Sequence, residues 1–82
     1  MIVNIDHIPL TQLPIGQKAY VSKLLSDGDT RRRMLDLGII DGTEIEPLYK
    51  SPSGNPIAYA IRGAVIALRA DVSKNIVVSV LL

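Results

Sequence analysis

Short apolar runs separated by turn residues make up most of this chain, and one stretch breaks the pattern. Around Arg31–Gly38 the apolar positions return at helical rather than strand spacing. At roughly 100° per residue, Thr30, Arg31, Met34, Leu35 and Leu37 fall in one arc. Asp29, Arg32, Arg33 and Asp36 share the opposite side. The spacing predicts one short amphipathic helix that rests its apolar arc on the remaining elements. The Arg31 stem would run along apolar surface with its head reaching water. Asp27 or Asp29 suits the start of such a helix, and Gly38 suits the left-handed position that ends it. Asp29 with Arg33 and Arg32 with Asp36 are i,i+4 pairs, each expected to add about 0.2–0.5 kcal/mol.

The rest reads as strand and turn. The prolines of Ile8-Pro9-Leu10 and Leu13-Pro14 forbid a helix and predict an extended or single-turn segment that packs Leu10 and Leu13 on the core, after an apolar start at Ile2, Val3 and Ile5. Gln17 to Leu25 alternates Ala19 and Val21 against Tyr20, Ser22 and Leu24, as a strand does. Thr43 to Lys50 is a second strand in which Pro47 marks an edge or a bulge. Ser51 to Pro56 is rich enough in turn residues to be a hairpin tip. Ile57 to Arg62 follows, then a turn at Arg62-Gly63, a strand from Ala64 to Arg69, a turn from Ala70 to Lys74, and a last β-branched strand from Ile76 to Leu82. About five short strands with tight connections are too few for a sandwich. They favour a mainly β fold, a small barrel closing its own edges, with the helix across one end.

Composition narrows the function classes. The 82 residues are expected to form one domain, 1–82, and the 48% hydrophobic content can supply its core. With no cysteine there is no disulfide, thiolate metal site or thiol nucleophile, which fits a reducing compartment. No apolar stretch approaches the length of a membrane span. A net charge of +1, with no Phe or Trp for base stacking, argues against nucleic acid as a partner and against an RNA-binding barrel.

No catalytic set assembles from the sequence. His7 is the one histidine, and with Asp6 it would give a metal only two adjacent ligands. Glu44 and Glu46 share a strand face, where solvated carboxylates are the ordinary case. Gly42, Gly54 and Gly63 are isolated and build no phosphate-cradling loop. Tyr20, Tyr49 and Tyr59 fall on three different strands, which does not make the aromatic groove that proline-rich peptides require. The arginine run is either a solvated face or a docking surface for a protein, since arginine is favoured at interfaces.

Taken together, Arg32-Arg33-Met34-Leu35-Asp36-Leu37-Gly38-Ile39, Gly42-Thr43-Glu44-Ile45, Ser53-Gly54-Asn55-Pro56-Ile57, Arg62-Gly63 and Ile66-Ala67-Leu68-Arg69 form a familiar combination. They resemble the core of the ferrous iron transport protein A (FeoA) family from about Ile8 to Val80. Pro47 and Asn55 depart from the usual pattern, Asn55 standing where aspartate is more common. The resemblance implies an SH3-like β-barrel with an inserted helix. It implies a small, non-enzymatic cytoplasmic accessory of ferrous iron uptake, held at the inner membrane only through its partner. That partner would be the cytoplasmic part of a FeoB-type GTPase transporter. Arg32 and Arg33 on the helix, with Tyr49, Asn55 and Ile57 on the hairpin, are the expected partner-binding residues. No cofactor is required; weak binding of ferrous iron or another transition metal, and weak homo-oligomer formation, stay open. The alternative is a metal-sensing regulatory domain like the C-terminal module of iron-dependent repressors.

Overall fold

The computed structural model describes residues 4–81; Ile2 and Val3 of the apolar start and the terminal Leu82 lie outside them. The order is β1 (Ile5–Pro9), a single 3-10 turn (Leu10–Gln12), β2 (Ala19–Leu24), α1 (Gly28–Asp36), β3 (Glu44–Lys50), β4 (Ile57–Ile61), β5 (Ala64–Leu68), α2 (Ala70–Ser73) and β6 (Ile76–Leu81). All strand pairs are antiparallel, in the order β1-β6-β2-β3-β4-β5. The fold is mainly β, with one strand more than the alternation suggests. The extra one is β1, whose Ile5–Pro9 pairs along its length with Val77–Leu81 of β6. Its one proline halts a helix but leaves an edge strand intact, because Pro9 ends the ladder.

The buried set follows the alternation. Ala19 and Val21 of β2, Ile45 of β3, Tyr59 and Ile61 of β4, and Ile76, Val78 and Val80 of β6 face one another inside. Leu10 and Leu13 join them from the segment after β1, as their spacing requires. Pro47 makes a bulge rather than an edge: the β3–β4 register shifts between Pro47 and Tyr49. The buried Pro47 accepts a hydrogen bond from Gly16 N–H at 2.8 Å.

Strand pairing does not close the barrel on its own. Among the described residues no ladder joins β1 to β5, the two ends of the strand order. The 3-10 turn after β1 lies against α2, which follows β5; Leu10 of the turn belongs to the core, and Val72 of α2 packs against that core. The stretch 70–74, expected as a turn, forms that one-turn helix.

Candidate interaction surface

Helix α1 is fastened at its end rather than along its length. Gly38 N–H donates to Leu35 O at 2.9 Å, Ile39 N–H to Met34 O at 3.0 Å, and Gly38 holds φ at +85°. This is the Schellman arrangement, in which a glycine without Cβ satisfies the last carbonyls of the helix. It swings Ile39 inward, where it is fully buried with Met34. Met34 is the one buried residue of α1; Leu37 is half-buried and Leu35 is 41% exposed. The apolar arc read from the wheel is therefore only partly covered.

Arg32 and Arg33 stand exposed, as expected of the opposite face. The i,i+4 ion pairs do not form. Among the described residues the ion pairs within 4.0 Å are Lys18–Glu44 at 3.7 Å and Arg69–Asp71 at 3.9 Å, both well exposed. Long side chains on a solvated face give up more rotamer freedom than such a contact returns. Arg33 instead lines a hollow of about 160 Å³ with Met34, Leu68, Arg69, Asp71 and Val72. Arg31 turns the other way and donates from Nη1 to Leu24 O at 3.2 Å.

The hairpin residues divide into different roles. Tyr49 is 61% exposed on β3. Ile57 opens β4 opposite Lys50, half-buried against the core. Asn55, at the hairpin tip, accepts Ala70 N–H on its Oδ1 at 3.0 Å and so caps α2 from a distant loop. Arg33 and Asn55 thus meet the same segment, residues 67–72, through the hollow and the cap. Tyr49 and Ile57 are neighbours within one hairpin, as the alternation places them. No hydrogen bond or ion pair joins the arginines of α1 to that hairpin among the described residues.

Among the described residues no three of His, Asp and Glu come close enough to hold a metal ion. His7 is exposed on β1. The Tyr59 phenol is buried, and burial pushes its pKa above the ordinary tyrosine value. The Ser73 hydroxyl opposes that shift, although no hydrogen bond of 3.5 Å or less reaches it and its Oγ is buried without a partner. No helix among the described residues is long and apolar enough to cross a membrane.

Residues 8–80 match the model of the FeoA domain. The chain belongs to the FeoA family. The FeoA-like protein of Clostridium acetobutylicum is 36% identical with a TM-score of 0.81, over 93% of this chain and 87% of that one. The FeoA protein of Chlorobium tepidum is 29% identical with a TM-score of 0.84, over 92% and 71%. The FeoA of Stenotrophomonas maltophilia, complexed with zinc and put forward as a ferrous iron transport activating factor, is 29% identical with a TM-score of 0.75, over 84% and 86%. It is an SH3 domain protein, and this chain has the same SH3-like barrel. The IdeR of T. acidophilum is 20% identical with a TM-score of 0.79, over 90% of this chain and 34% of that one, a likeness of fold alone. No curated protein sequence matches the chain.

The groove between α1 and β2 is the feature the sequence reading missed. It is lined by Val21, Lys23, Leu24, Leu35, Ile40 and Asp41, with Arg31 at its rim. One signal was available. In Gly38-Ile39-Ile40, neighbouring residues leave the cap in different directions, so burying Ile39 leaves Ile40 out, at 45% exposure.

Proposed function

We propose that this chain is a non-enzymatic regulatory module of ferrous iron uptake, acting by contact with the cytoplasmic part of a FeoB-type GTPase transporter. Membership of the FeoA family carries the reading. The described residues support it in kind. They offer exposed arginines and exposed apolar side chains on a small barrel. Such a surface can bias a partner between conformations only by binding one of them better. The chain would reach the inner membrane through that partner. The metal-sensing alternative draws on likeness of fold, which does not carry function.

The test is a titration of the chain against the isolated cytoplasmic GTPase domain of the cognate transporter, with and without GTP and ferrous ion. Saturable binding that changes with nucleotide is the expected result. Binding that requires ferrous ion would make the chain a metal-sensing adaptor. No binding at high micromolar concentration, to that domain or to the intact transporter, would overturn the reading.

A further inference from the structure

Strand β2 loses its neighbour before it ends. On the side away from β6, Val21 N–H donates to Thr43 O at 2.8 Å and Val21 O accepts Gly42 N–H at 2.7 Å. Beyond that point the chain of Ile40-Asp41 turns off toward α1, and β3 pairs only with Ala19 and Tyr20. Leu25 N–H donates to Asn75 O at 2.7 Å, and Leu24 faces Ile76 in the ladder. In an antiparallel ladder that alternation turns the backbone groups of Leu24 away from β6, into the groove. The Leu24 carbonyl is taken by the Arg31 guanidinium, at 3.2 Å. Among the described residues no strand sits there; a side chain holds the place of one.

The walls suit an extended chain. The groove has a volume of about 390 Å³, with Val21 and Leu24 on one side and Leu35 and Ile40 on the other. Leu35 and Ile40 are 41% and 45% exposed although both belong to apolar runs, so the arc of α1 stays open where it faces this space. The rim is cationic on balance. Lys23 and Arg31 have no carboxylate within 4.0 Å among the described residues, and Asp41 is the one acidic lining residue.

The geometry points to β-strand addition: the groove takes an extended segment of the transporter's cytoplasmic part, carrying an apolar side chain next to a carboxylate. The inference rests on the proposed function and names the surface through which that contact is made. The incoming backbone pairs with Leu24, as exposed strand edges allow. Its apolar side chain covers Leu35 and Ile40. Its carboxylate meets Lys23 and the guanidinium of Arg31, which leaves the Leu24 carbonyl to the new strand.

The experiment uses the full chain with the intact transporter in lipid nanodiscs, reading affinity and hydrogen exchange at single amides. On binding, exchange at the Leu24 amide slows. Leu35→Asp and Ile40→Asp each weaken binding about tenfold or more, because each puts a charge where apolar surface would be covered. Val65→Asp, at an exposed apolar position of β5 outside the groove, changes affinity by about twofold or less. All three positions are exposed, and circular dichroism confirms that the variants fold. Unchanged affinity in both groove variants, or an unaltered Leu24 amide while the chain binds, overturns the inference and leaves the proposed function standing. Failure of the unaltered chain to bind overturns both.

Discussion

Arg62 lies across Gly38: its Nε is 3.1 Å from the position a Cβ at residue 38 would take, and its Cδ is closer still. The two residues belong to different turns, one ending α1 and the other joining β4 to β5. Both hold positive φ, +85° at Gly38 and +52° at Arg62. The Gly38 backbone is the floor on which the arginine stem rests.

Gly38→Ala therefore costs on two counts, the left-handed backbone and the displaced arginine. The expected loss is about 1–2 kcal/mol in urea unfolding, the backbone accounting for roughly half. In an Arg62→Ala background the steric part is relieved and the cost of Gly38→Ala falls by about 0.5 kcal/mol or more. Strict additivity would show that the stem moves aside freely.

Asn55→Ala removes the acceptor that caps α2 and should lower stability by about 1 kcal/mol. For a domain of this size that is a drop in Tm of about 4–8 °C. Asn55→Asp keeps an acceptor in place and should recover most of the loss. If Asn55→Ala leaves Tm unchanged, Ala70 N–H is equally well served by water.

The buried Tyr59 makes stability fall in alkali. Its pKa in the folded chain is raised, mainly by burial, above the ordinary value of about 10. The folded state thus holds the proton after the unfolded state has released it, and stability drops as pH rises past about 10 toward the folded value. Below pH 10 the phenol is neutral in both states and contributes no slope. Urea midpoints followed from pH 8 to about 12 should show the drop, and Tyr59→Phe should reduce it. An identical alkaline slope in Tyr59→Phe would assign the loss to other groups.

Reversing the exposed charges, Arg32→Glu with Arg33→Glu, should leave stability within about 0.5 kcal/mol, because neither side chain is held in an ion pair. Transporter binding should weaken, and its dependence on salt should flatten. Unaltered binding and iron uptake would make this face of α1 a solvated surface only.

Much of this architecture is legible in the residues. Gly38 announces the end of α1 because only a residue free of Cβ takes that cap without strain. Ser51 to Pro56 and Arg62-Gly63 announce their turns, and Pro47 its bulge. The strand at Ile5–Pro9 is harder to read because its Ile5 and Ile8 do not alternate, and the one-turn α2 is too short to carry a period. The wheel gives the direction of Leu35 but not whether anything covers it. The cap supplied by Asn55 spans fifteen residues and depends on the hairpin tip meeting α2. The arginines and Tyr49 are legible as exposed residues and Asn55 as a loop residue, whereas the half-burial of Ile57 in β4 depends on the core it meets.

Strand β6 lies between β1 and β2, and this placement bears on how the fold is made. A ribosome releases Ile5–Leu24 long before residues 76–81, yet both β1 and β2 find a ladder partner in those late residues. The β3–β4–β5 meander can pair as it emerges, since its turns are local. Until then β1 has no ladder partner and β2 has only its short pairing with β3, and such high sequence separation slows folding. During synthesis the vulnerable stretch is therefore Ile5–Leu24, β1 above all, and a holding chaperone would find its work there.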